Sequence, residues 1–156
     1  MKLCSRKMTR ELALNVLSWH YDPPYDFYYN QVTEEAISEL VNDGYMAVED
    51  EKGELLGFYC SGRSAQVPAG RAVGVYTEYA IDIGVGMHPE LTGKGNGSLF
   101  LSLVLNELKP INSDVIFRLT VAKFNIRAIK LYENLGFKKM SEIKSDTHDF
   151  IIMLKW

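Results

Sequence analysis

In Met87-His88-Pro89-Glu90-Leu91-Thr92-Gly93-Lys94-Gly95-Asn96-Gly97-Ser98, three glycines fall within five residues. The apolar run Ile81-Asp82-Ile83-Gly84-Val85-Gly86-Met87 leads in, and a long apolar helix candidate, Leu99 to Leu108, leads out. The glycines therefore sit where a strand hands over to a helix N-terminus. Exposed backbone N–H groups and the positive end of the helix dipole make such a place an anion site, most simply for a phosphate. The competing reading is a flexible turn that binds nothing.

Two familiar phosphate loops are excluded. A Walker A loop requires G-x-x-x-x-G-K-[ST], but His88 stands five residues before Gly93 and Gly95 follows Lys94. This disfavours a nucleotide hydrolase. A dinucleotide fingerprint requires G-x-G-x-x-G, and here the third glycine comes one residue early.

The 156 residues suit a single domain over 1–156 with one sizeable core. With 47% hydrophobic and 24% charged residues, the composition is that of a soluble globular protein. A net charge of −3 offers no basic footprint for nucleic acid. No apolar run is long enough to span a membrane, and Met1 to Lys7 carries no signal-peptide core. Cys4 and Cys60 lie far apart and in no metal spacing, so no metal is expected. Both read as buried apolar thiols in a reducing cytoplasm.

Along the chain, Lys2 to Arg6 reads as a short strand. Thr9 caps a helix to about Ser18, and a second helix runs from about Thr33 to Val41. Between them, Tyr21 to Tyr29 is a loop, because paired prolines block a helix. Tyr45–Glu49 and Leu55–Cys60 are strands joined by the turn Asp50-Glu51-Lys52-Gly53. Arg63 to Thr77 reads as a long loop. The strand Tyr79–Met87, the glycine loop and a helix to Lys109 follow. Next come a strand at Val115–Val121, a helix opened by Asn125 and ended by Gly136, and strands at Phe137–Lys144 and Asp149–Lys155. This order predicts an α/β (α+β) fold, a mixed sheet with helices on both faces.

A second motif lies downstream: Asn125-Ile126-Arg127-Ala128-Ile129-Lys130-Leu131-Tyr132-Glu133-Asn134-Leu135-Gly136-Phe137. It meets N-x-x-[AS]-x-x-x-[YF]-x-x-x-G-F at every position. With the strand, proline and glycine loop before it, the chain resembles a GNAT-superfamily N-acetyltransferase from about Asp82 to Phe137. The resemblance implies an acyl-CoA N-acyltransferase fold, with a mostly antiparallel sheet of six to seven strands. It makes acetyl-CoA the co-substrate and a primary amine, on a small molecule or a protein, the acceptor. It leaves the oligomeric state open, a homodimer included. The coenzyme A pyrophosphate would lie on Gly93, Lys94, Gly95, Asn96, Gly97 and Ser98, where glycine lets the backbone approach closely. Thr92 stands where the family usually has Arg or Gln, and Asn96 replaces an aliphatic residue. Both changes bear on cofactor affinity.

The chemistry sets four demands. The amine must be neutral, yet at a pKa of ~10.4 only on the order of one molecule in 2,000 is so at pH 7. The thioester carbonyl must be polarised, the oxyanion held, and the leaving thiolate, with a pKa near ~8.5, given a proton. By resemblance, the Met87 N–H polarises the carbonyl, and Val85, Gly86 and Met87 pair with pantetheine as with an added strand. Tyr132 is then the general acid, since a phenol of pKa ~10 keeps its proton at pH 7. Helical spacing alone would read Tyr132 as a core residue. Asn125 would bond the cofactor or cap its helix.

Asp82 is a carboxylate in an apolar strand, so it needs a partner or a job. The job would be to take the amine proton. The partner would be a lysine, an arginine or His148. Glu78, His88 or a chain of waters are other routes for that proton. The loop Trp19 to Tyr29, with Asp22 and Asp26 among aromatic rings, either shapes an acceptor site for a cation or simply covers the sheet. Two further functional readings compete with the enzyme: a non-catalytic acyl-CoA-binding domain and a plain interaction domain.

Overall fold

Thr9 and Thr33 each end an extended stretch and open a helix. Their hydroxyls accept from the N–H groups of Leu12 and Ala36, three residues on, at 3.2 and 3.1 Å. The helices they cap are α1, Arg10–Leu17, and α2, Glu34–Asn42. Ala13, Val16 and Leu17 from one and Ile37 and Leu40 from the other are buried, in a cluster with Met8, Trp19, Ala47 and Leu55. Each large side chain there contributes about 1.5–3 kcal/mol. These relations come from a computed structural model, which describes residues 2–28, 31–92, 94–110 and 114–156, excepting the side chains of Phe27 and Tyr28.

Strands β1 (Leu3–Lys7), β2 (Met46–Asp50) and β3 (Leu55–Ser61) pair antiparallel in sequence. Asp50 forms the expected turn, accepting from the N–H groups of Lys52 and Glu54 at 2.9 and 3.0 Å. Strands β4 (Ile81–Met87), β5 (Phe117–Ala122), β6 (Lys138–Ile143) and β7 (Phe150–Lys155) complete a seven-stranded sheet in the order β1-β2-β3-β4-β5-β7-β6. β5 and β6 each pair antiparallel with β7, while β4 pairs parallel with β5 from Ile81–Phe117 to Ile83–Leu119. The sheet is mixed and mostly antiparallel, as expected.

The chain divides into two units, Met1–Cys60 with Val85–Val104, and Ser61–Gly84 with Leu105–Trp156. In the first, α4 (Gly97–Leu108) begins, and β3 meets the end of β4 at two glycines. A Cβ on Gly57 would lie 2.6 Å from the Gly86 carbonyl oxygen, and one on Gly86 would lie 2.3 Å from the Phe58 ring. In the second, Leu119, Ile143, Ile152 and Met153 are buried. So are Tyr132, on α5 (Ile126–Asn134), and Phe137.

Three expectations change. Arg63 to Thr77 is not one long loop: it holds a 3-10 turn, Gly62–Ala65, and a short helix α3, Pro68–Ala72. Proline at the first helical position opens that helix without losing a needed N–H. The helix after the glycine loop starts at Gly97, so Gly97 and Ser98 belong to its first turn. Cys60 is buried, but Cys4 is exposed, because along β1 its side chain falls on the opposite face from the half-buried Leu3 and Ser5.

Candidate active site

The end of β4 is held at a single peptide. The Tyr21 hydroxyl donates to the Met87 carbonyl at 2.6 Å, and the His88 N–H donates to the Leu56 carbonyl at 2.8 Å. Pro89 then opens a 3-10 turn, Pro89–Leu91. In that turn the Glu90 N–H donates to His88 Nδ1 at 3.1 Å. An imidazole nitrogen that accepts from an amide carries no proton, so the neutral ring bears its proton on Nε2. His88, set edge-on to Trp19 with centroids 5.1 Å apart, is therefore a hydrogen-bond donor whose lone pair is already used. This geometry disfavours it as the base.

The turn continues into the glycine segment. The Thr92 hydroxyl donates to the Pro89 carbonyl at 2.7 Å, and Asn96 Nδ2 donates to the Leu91 carbonyl at 3.4 Å. Gly93 lies outside the described residues. Lys94 and Gly95 are exposed. Gly95 has φ +81°, and a Cβ there would meet nothing within 4 Å among the described residues. The first hydrogen bond of α4 runs from the Phe100 N–H to the Asn96 carbonyl at 3.1 Å. The N–H groups of Gly97, Ser98 and Leu99 precede the helix ladder and lie at its positive end. N–H groups of that kind point their donors away from the helix, as an anion site requires.

The second unit holds Asp82. Asp82 and Arg118 are each 4% exposed. Arg118 Nε and Nη2 reach Asp82 Oδ1 and Oδ2 at 2.6 and 2.8 Å. Gln66 Nε2 adds a bond to Oδ2 at 2.9 Å. Arg118 Nη1 donates to the Glu78 carbonyl at 3.0 Å, and its guanidinium stacks 5.0 Å over the Tyr76 ring. Hydrogen bonding to Asp82 pushes the Arg118 pKa further up. The Tyr76 hydroxyl accepts from the Val67 N–H at 3.0 Å and shares a bond with Thr120 Oγ1 at 2.7 Å. Of the two roles open to Asp82 in the sequence, this geometry supplies the pairing, with arginine as the partner. Both oxygens that would take an amine proton already accept from cation or amide donors.

Asn125 caps α5, its Oδ1 accepting from the Ala128 N–H at 3.1 Å. Tyr132 is buried on that helix, its ring centroid 6.0 Å from that of Phe137. Among the described residues, no group of three or more His, Cys, Asp or Glu side chains is placed to hold a metal.

Sequence reasoning missed Arg118, Gln66 and the bond from Tyr21. Arg118 left a usable signal. It interrupts the apolar strand Val115–Val121 as Asp82 interrupts its own, and two opposite charges in such strands are natural partners.

The family model described as acetyltransferase (GNAT) family matches residues 13–137. The chain belongs to the GNAT acetyltransferase family. Among solved structures, a chimera of spermidine N-acetyltransferase SpeG from Vibrio cholerae with hSSAT is 20% identical, with a TM-score of 0.68. The match covers 99% of this chain and 95% of that one. The aminoglycoside acetyltransferase AAC(6')-Ib in complex with coenzyme A is 15% identical over 99% of this chain and 94% of that one, with a TM-score of 0.76. The same enzyme with ribostamycin and coenzyme A is 16% identical over 99% and 93%, with a TM-score of 0.75. At these identities the likeness shows a shared fold. No curated protein sequence gives a significant match.

Proposed function

We propose that this protein transfers an acetyl group from acetyl-CoA to a primary amine, with both substrates held together in a ternary complex. The supporting observation is the run from the pinned end of β4 to the start of α4. Within ten residues, Met87 to Asn96, the chain passes from a strand end to the amide cluster that opens a helix. Residues of that kind fit a coenzyme A pyrophosphate, and the left-handed Gly95 keeps the backbone bare beside them.

Bound there, acetyl-CoA supplies an activated acetyl thioester. Gly93 to Ser98 hold its pyrophosphate, and Val85, Gly86 and Met87 present a strand edge to its pantetheine arm. The Met87 N–H donates to the acetyl oxygen and stabilises the charge that develops on it. Asn125 keeps α5 capped, and Tyr132 hands its hydroxyl proton to the departing sulfur. With Asp82 committed to Arg118, the proton of the incoming amine leaves to Glu78 or to water. The acceptor is a small-molecule or protein amine in the cytoplasm. Solved structures of like fold are named for spermidine and for aminoglycosides, both amines.

One observation favours a second reading, an acyl-CoA-binding domain without turnover. The Thr92 hydroxyl spends its proton on Pro89 and so offers the phosphate no donor in this geometry. An acetyl-CoA consumption assay across amine classes, with intact-mass analysis for protein acceptors, separates the two. Transfer to at least one amine is expected, and Tyr132→Phe should lower kcat about 10²-fold with little change in acetyl-CoA affinity. Binding without transfer to any amine supports the second reading. Equal turnover by Tyr132→Phe removes that residue as the acid.

A further inference from the structure

We propose that Tyr21 is a positioning residue for the carbonyl-polarising end of β4. The inference rests on the reading above, in which the Met87 N–H meets the acetyl oxygen. Strand ladders leave their terminal carbonyls to find other donors, and the Met87 carbonyl finds one from the connection between α1 and α2. The Tyr21 hydroxyl crosses 66 positions of sequence to reach it at 2.6 Å. The N–H of the same peptide, carried by His88, is taken by Leu56 on β3 at 2.8 Å. A peptide unit tied at both ends cannot turn about Met87 ψ. Met87 Cα joins that tethered peptide to the N–H that must point at the acetyl oxygen, so the anchor holds one side of the residue that carries the donor.

The arm that holds Tyr21 is itself anchored. Trp19, two residues earlier, is buried, and its Nε1 donates to Asn15 Oδ1 of α1 at 3.1 Å. The Trp19 ring packs 6.1 Å from Phe58 and 5.1 Å from His88, centroid to centroid. Tyr21 packs against the same apolar cluster. The hydroxyl is thus delivered from a fixed ring to a fixed carbonyl, and the donor on Met87 is preorganised before substrate arrives.

Tyr21→Phe keeps the ring and removes the hydroxyl. The chain contains one Met-His step, Met87-His88. Protein carrying 13C-carbonyl methionine and 15N histidine therefore gives a single carbonyl–amide correlation, which reports this peptide. In Tyr21→Phe that correlation should move, kcat should fall about tenfold, and acetyl-CoA affinity should stay within about threefold. An unmoved correlation, an unchanged kcat, or a kcat that falls only in step with acetyl-CoA affinity overturns the proposal. Should Tyr21→Phe not fold, 3-fluorotyrosine placed at position 21 keeps the hydroxyl and strengthens it as a donor. The Met87 correlation must then move in the opposite sense to simple loss of the bond, toward a more strongly bonded carbonyl. No movement overturns the proposal. A parent protein that acetylates no amine overturns the enzymatic reading and this inference with it. An active parent leaves only the inference at stake.

Discussion

Asp82 and Arg118 meet by two hydrogen bonds in a place almost closed to water. Taking two charges out of water is costly, and their attraction offsets that cost only while both are present. Asp82→Asn removes one charge and leaves the guanidinium buried beside an amide. We expect a loss of about 3–5 kcal/mol in chemical denaturation. The double variant Asp82→Leu with Arg118→Met, which removes both charges, should recover most of it. A single variant as stable as the parent would show that the pair is not held as described. The sequence marked Asp82 as a residue in need of a partner, because a carboxylate in Ile81–Met87 breaks an apolar run. It could not select Arg118, since that choice depends on β4 and β5 being neighbours in the sheet.

The elements followed from local patterns where the determining groups sit close in sequence. Thr9, Thr33 and Asn125 cap helices within three residues of themselves, and the helices that they open were legible. The short helix Pro68–Ala72 was not, because five residues show no period and Gly70 reads as a breaker. That glycine instead lies under Tyr76 and Ile143, where a Cβ would come within 2.9 Å of each. Gly95 poses the opposite case. No described neighbour crowds it, so its need for glycine is conformational, at φ +81°. Gly95→Val would force a β-branched residue into the left-handed region at about 1–2 kcal/mol. It would also re-aim the amides at the start of α4. We expect roughly tenfold weaker acetyl-CoA binding by calorimetry, a loss of about that same 1–2 kcal/mol. Unchanged affinity would remove the segment as the pyrophosphate cradle.

At the scale of the whole molecule, a ligand that engages only the native chain stabilises it by mass action. Acetyl-CoA at about a hundredfold excess over its Kd should add about 2.7 kcal/mol. For a chain of this size that corresponds to a rise in Tm of roughly 5–10 °C. Free acetate at equal concentration should leave Tm in place. A melting temperature that ignores acetyl-CoA would favour the plain interaction domain. The amino-acid sequence by itself determined the order of the strands and of every helix but Pro68–Ala72, the mixed sheet and the family. Periodicity, caps and motif spacing act over a few residues, so they can be read in one dimension. Only the tertiary structure decided who meets whom. Arg118 finds Asp82 across 36 positions and Tyr21 finds Met87 across 66, and Gly57 lies against Gly86. Those partnerships arise when strands and loops are brought side by side, and hydrogen bonds reach about 3 Å in space whatever the distance along the chain.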